Sequence, residues 1–76
     1  MQDEFKEYYK MIGLKVAYYR KLRGMTQEGL AECMGVDTSF IGQIEAPNIY
    51  KAVSLDTLFR ISKALGTEPY RFLKFD

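Results

Sequence analysis

Residues 26–45 read TQEGLAECMGVDTSFIGQIE: two short runs with apolar residues at helical spacing, joined by Gly35, Val36 and Asp37. Thr26 is a residue type that caps helix N-termini, and Leu30, Ala31 and Met34 then share one face, with Glu28 and Glu32 opposite. Gly35 suits the left-handed position that ends a helix. Asp37 is a second N-cap residue, and Ile41 and Ile44 supply the buried side of the run it opens. Such a short link between two helices, each apolar on one side, forces a sharp crossing rather than an antiparallel hairpin.

Upstream, Phe5, Tyr8, Tyr9, Ile12, Val16 and Tyr19 fall at spacings of three and four, a helical stripe that stops before Gly24. Gly13 interrupts it at a cost of about 1 kcal/mol relative to Ala, so residues 1–11 are expected to form a separate N-terminal turn or arm. Downstream, Ala46 to Val53 carries Pro47 and Asn48 and has no helical period, which reads as a loop. Ser54 caps a further helix with Leu55, Leu58, Ile61 and Leu65 facing inward and Gly66 ending it. Pro69 then opens a last short helix with Tyr70, Phe72 and Leu73. The expected fold is all-α, five helices in one domain spanning residues 1–76.

Composition limits what such a domain does. The 76 residues are 47% hydrophobic and 28% charged, enough for one small core and unlike a disordered chain. There is no His and one Cys, which excludes a Cys/His zinc site and His-activated nucleophiles. The carboxylates are scattered, with no Gly-rich phosphate loop among them, so neither an enzyme, a cofactor nor a small-molecule ligand is expected. The apolar runs are too short to span a membrane, and the acidic start MQDEFKEYYK is unlike a secretory signal. A cytoplasmic location is expected. Cys33 lies near Glu28 and Glu32, away from the cations that activate thiols, and is read as inert.

The formal charge of +1 is unevenly spread. Residues 11–24 carry Lys15, Arg20, Lys21 and Arg23 and no acid, whereas residues 25–45 carry Glu28, Glu32, Asp37 and Glu45 and no base. A general electrostatic attraction for nucleic acid is therefore missing, and any DNA binding has to rely on geometry. In the second run of the opening stretch, Thr38, Ser39, Gly42 and Gln43 form the side opposite the apolar residues. Gln pairs with adenine through two hydrogen bonds, and Thr or Ser bonds several bases or touches the thymine methyl. By itself such a face serves equally as solvated surface.

The stretch RKLRGMTQEGLAECMGVDTSFIGQIEA, followed by SLDTLFRISKALG, resembles the helix-turn-helix repressors of the phage Cro and lambda-repressor type, the xenobiotic-response-element family. The resemblance covers residues 12–73. It implies that the third helix enters the major groove of double-stranded DNA with Thr38, Ser39, Phe40 and Gln43 at the interface. It also implies that Gln27 touches a phosphate and braces that helix, and that Arg20 and Glu45 form a buried ion pair. Asn48, Tyr50 and Lys51 would supply the contacts of the following loop, which is longer here than the family's usual turn. Gly29 stands where the family usually has Glu, and Gly42 where it often has Ser.

Together these imply a sequence-specific transcriptional regulator, a repressor acting as a homodimer on a palindromic operator. The dimer surface is expected at Tyr70, Phe72, Leu73 and Phe75, with Phe5, Tyr8 and Tyr9 as the competing patch. The alternative is a protein-interaction module, an antitoxin or anti-repressor, that keeps the fold and turns the same face to another protein. The acidic opening stretch favours that alternative.

Overall fold

In the computed structural model, which describes residues 4–49 and 51–75, the chain forms four α-helices. These are α1 (Lys6–Leu22), α2 (Gln27–Met34), α3 (Thr38–Glu45) and α4 (Leu55–Leu65), followed by a 3-10 turn at Pro69–Phe72. The caps are local chemistry. Thr26 Oγ1 accepts from the Gly29 N–H at 2.9 Å, and Ser54 Oγ accepts from the Thr57 N–H at 3.1 Å. Gly35 and Gly66 end α2 and α4 with φ of 70° and 64°, a left-handed conformation that glycine adopts without a Cβ clash.

The fifth helix expected from the sequence is a single 3-10 turn. Its bonds run from the Arg71 N–H to the Glu68 carbonyl at 3.1 Å and from the Leu73 N–H to the Tyr70 carbonyl at 3.0 Å, both spanning three residues. Pro69 gives no N–H, and Phe72 is drawn fully into the core, its ring edge-on to Tyr19 at 5.4 Å. Packing of that one ring holds the turn in place. It also removes Phe72 from the set of surface aromatics.

Nor does Gly13 separate an N-terminal arm, for α1 runs unbroken from Lys6 across it. Gly13 is buried where α1 crosses the end of α3, and a Cβ there would fall on the Ile44 carbonyl oxygen. The glycine that weakens the helix by about 1 kcal/mol is the one that lets two backbones touch.

Ile12 and Val16 of α1, Leu30 and Ala31 of α2, Ile41 and Ile44 of α3, and Leu58, Ile61 and Leu65 of α4 close around Phe72 as one core. Each large side chain buried this way stabilises by roughly 1.5–3 kcal/mol. Leu55, expected inside, is 62% exposed. It sits in the first turn of α4, past the edge of the core, and lines an apolar groove with Phe5, Tyr8, Leu73 and Phe75. No helix among the described residues is long and apolar enough to cross a membrane.

Candidate nucleic-acid interface

The turn between α2 and α3 sets their crossing. The Gly35 N–H bonds the Glu32 carbonyl at 3.2 Å and the Val36 N–H bonds the Ala31 carbonyl at 3.0 Å, which folds the chain back at once. Val36 then packs against the core. Asp37 takes the N-cap position of α3 with extended backbone, but its side chain makes no capping bond. The start of α3 is exposed, with Asp37, Thr38 and Ser39 open to solvent.

α3 divides cleanly along its length. Ile41 and Ile44 are buried at 0% and 3% exposure, while Thr38, Ser39 and Gln43 are exposed. Ser39 and Gln43 are one helical turn apart and present neighbouring hydrogen-bonding groups on the same side. Gly42 lies between the two sides, and a Cβ there would be 3.6 Å from Gln27 Oε1, an ordinary contact.

The far end of α3 is clamped. Glu45 Oε2 accepts from Arg20 Nε at 2.7 Å and Oε1 accepts from Arg20 Nη2 at 2.9 Å, a two-pronged pair whose side chains are 9% and 5% exposed. Arg20 Nη1 donates to the Met25 carbonyl at 2.8 Å, and Gln27 Nε2 donates to Glu45 Oε1 at 3.0 Å. One carboxylate thus ties α1, α2 and α3 together. A carboxylate at a helix C-terminus opposes the helix dipole, and the Arg20 charge offsets this. The Glu45 hydrogen bond in turn raises the Arg20 pKa above its ordinary value.

Gln27 is half-buried with its amide nitrogen committed to Glu45 and its carbonyl beside Gly42. That is a bracing geometry, holding the start of α2 to the middle and end of α3. Asn48 is exposed in the loop after α3, and Tyr50 lies outside the described residues. Lys51, in the same loop, folds back so that its ammonium stands over the Phe40 ring, 5.2 Å from the centroid. Phe40 is half-buried and leans on the core. α3 thus carries Thr38, Ser39 and Gln43 exposed and Phe40 under the Lys51 ammonium, while Arg20, Gln27 and Glu45 are bonded together at its end.

Two participants were not foreseen from the sequence. The Met25 carbonyl carries no side-chain signal at all. Gly13 does carry one, a glycine inside a helical stripe, whose usual meaning is close packing. Beside α3, a cleft lined by Thr26, Glu28, Gly29, Glu32, Val36 and Thr38 makes the flank of this surface acidic.

A family model described as helix-turn-helix matches residues 10–72. The control protein C.SmaI of Serratia marcescens is 32% identical over 69 residues, covering 91% of this chain and 80% of that protein. The uncharacterized HTH-type transcriptional regulator YazB of Bacillus subtilis is 44% identical over 36 residues, 47% of this chain and about half, 52%, of its own length. Among solved structures, the restriction-modification controller protein C.AhdI from Aeromonas hydrophila has a TM-score of 0.82 at 28% identity, covering 91% of this chain and 97% of that one.

Proposed function

The chain belongs to the helix-turn-helix family of DNA-binding transcription regulators, and from that premise we propose that it reads DNA through the exposed side of α3. It does so as a homodimer on a two-fold symmetric operator in the cytoplasm, and represses by occupying that site. The observation that carries this reading is the division of α3. Its inner side is locked to the core and its end clamped through Glu45, while Thr38, Ser39 and Gln43 stand free at the outer side. A rigid helix with neutral hydrogen-bonding side chains is what base readout needs, and phosphate contacts, which position without specifying, fall to the loop at Asn48 and Lys51. C.AhdI is named a restriction-modification controller protein, which makes control of restriction-modification the first context to test.

A single short recognition helix covers too few base pairs for high specificity, which argues for a pair. Leu73 and Phe75 of one expected apolar patch meet Phe5, Tyr8 and Tyr9 of the other in one groove, without the buried Phe72 and without Tyr70, which is exposed outside it. Phe5 stacks on Tyr8 at 6.1 Å and Tyr8 on Phe75 at 5.8 Å, with exposed Leu55 and Leu73 beside them. A second copy seated there would cover an apolar area that a solitary domain leaves wet. Selection of bound duplexes from a random pool at fixed salt tests the whole reading. The expected product is a palindrome whose half-site centres lie about one DNA turn apart, ~10 base pairs; a pool that never enriches would overturn it.

A second reading is favoured by the acidic cleft. Glu28 and Glu32 would face phosphates unfavourably but would suit a basic protein partner, as for an antitoxin or anti-repressor. It makes the opposite forecast for the same selection.

A further inference from the structure

Between Arg23 and Arg60 the chain contains one Lys or Arg, Lys51. Both helices of the helix-turn-helix and the loop after it therefore present a single cation to any polyanion, and its position matters accordingly. A lysine in a loop ordinarily samples many rotamers, and a binding partner has to order it. Here its ammonium rests over the face of the Phe40 ring at 5.2 Å from the centroid. The ring's negative face attracts the cation and limits where it goes. The ring itself is held by the core on its inner side, and it sits on α3 next to Ser39 and three residues before Gln43.

We propose that Phe40 is a positioning residue, which holds the Lys51 ammonium against α3 so that this one cation meets a backbone phosphate while Thr38, Ser39 and Gln43 meet bases. Phe40 makes no base contact of its own. The inference rests on the DNA-binding reading above and deepens it, assigning the ring a role distinct from the readout residues beside it. The arrangement leaves the ammonium's outer side free to bond a phosphate oxygen while its inner side faces the ring.

The test exploits a charge argument. Replacing Phe by Leu changes no charge, so it alters the number of phosphates neutralised only by displacing Lys51. Binding of the full chain to mixed-sequence 20-base-pair duplexes is titrated from about 50 to 200 mM KCl. Lys51→Met is expected to make the log–log slope shallower by about 0.9, the value for one phosphate, and Lys51→Arg to preserve it. Phe40→Leu is expected to reproduce most of the Lys51→Met change with Lys51 still present, and Phe40→Tyr to restore the original slope. In the free wild-type protein, the Lys51 ε-methylene protons should resonate upfield from the ring current, and lose that shift in Phe40→Leu. The same shift should persist when duplex is added.

If Lys51→Met lowers the slope and folded Phe40→Leu does not, the positioning role is wrong while DNA binding stands. If Phe40→Leu does not fold, the shift in wild type decides, and its absence in the free protein or its loss on duplex binding overturns the proposal. A wild-type chain with no affinity for any duplex at the lowest salt would overturn both this inference and the function it rests on.

Discussion

Glu45 collects three donors from two helices, and its neighbours bear the consequence. Arg20→Met is expected to cost on the order of 3–5 kcal/mol, because it leaves a buried carboxylate with only the Gln27 amide. Urea denaturation measures this, and Arg20→Met combined with Glu45→Leu should recover part of the loss. Recovery stays partial because the Met25 carbonyl and the Gln27 amide then lack their partners. If both single variants unfold at the wild-type urea concentration, the pair is not holding α3. The raised Arg20 pKa contributes stability that is complete below the unfolded value and lost only as pH rises through the still higher folded one. The arginine side of the pair therefore adds no pH dependence near neutrality. At the other end of α3, Thr38→Ala and Gln43→Ala are expected to weaken cognate binding by ~1–3 kcal/mol each and to leave non-specific binding nearly unchanged. Competition titrations with cognate and scrambled duplexes separate the two, and equal losses on both would remove these residues from base readout.

Gly42, which faces Gln27, and Gly13, which faces Ile44, have opposite prospects. Gly42→Ala adds a methyl at an ordinary contact distance from Gln27 and should raise stability by up to ~1 kcal/mol through helix propensity. Gly13→Ala puts a methyl onto a backbone carbonyl that cannot rotate away, and should destabilise by ~1–3 kcal/mol. Thermal melts of the pair check both signs, and a Gly13→Ala protein as stable as wild type would mean that α1 and α3 do not touch as described. These positions are unequally legible in the sequence for a physical reason. Thr26, Ser54, Gly35 and Gly66 act within three or four residues of themselves, so their roles as caps and stops were legible. What Gly13 faces lies 31 residues on, at Ile44, and no local pattern reports that. Arg20 and Glu45, 25 residues apart, were paired only through the family resemblance. The fifth helix failed for a related reason, since Pro69 announces a start but four residues ordered by one buried ring close only a 3-10 turn.

For the molecule as a whole, the groove between the start of α1, the start of α4 and the C-terminal segment is the surface to disturb. Leu55→Glu and Leu73→Glu alter side chains that are 62% and 47% exposed, so the protomer should keep its fold. Sedimentation at micromolar concentration is expected to show a dimer for wild type and a monomer for the double variant, with cognate affinity falling by an order of magnitude or more as the second half-site is lost. A double variant that remains dimeric would locate the interface elsewhere. The all-α fold and the central helix-turn-helix were readable from periodicity and caps, as were most of the core positions. Which aromatics point outward was not. Phe72 and Leu73 are neighbours of similar apolarity, and only the tertiary position of the turn sends one to 0% exposure and the other to the surface.

The contact at Gly13 also bears on how such a protein changes its address. α3 is seated by its backbone against the backbone of α1, by Ile41 and Ile44 beneath, and by Glu45 at its end. None of the side chains at 38, 39 and 43 takes part in that seating. The helix behaves as a cassette whose inner side is the socket and whose outer side is the label. Substitutions at those three surface positions should each move stability by no more than ~0.5 kcal/mol, so a lineage could rewrite the sequence it reads while inheriting the scaffold intact. A library randomised at Thr38, Ser39 and Gln43 should accordingly yield folded proteins in the majority, with new preferred operators among them, whereas one randomised at Gly13 should retain little but glycine.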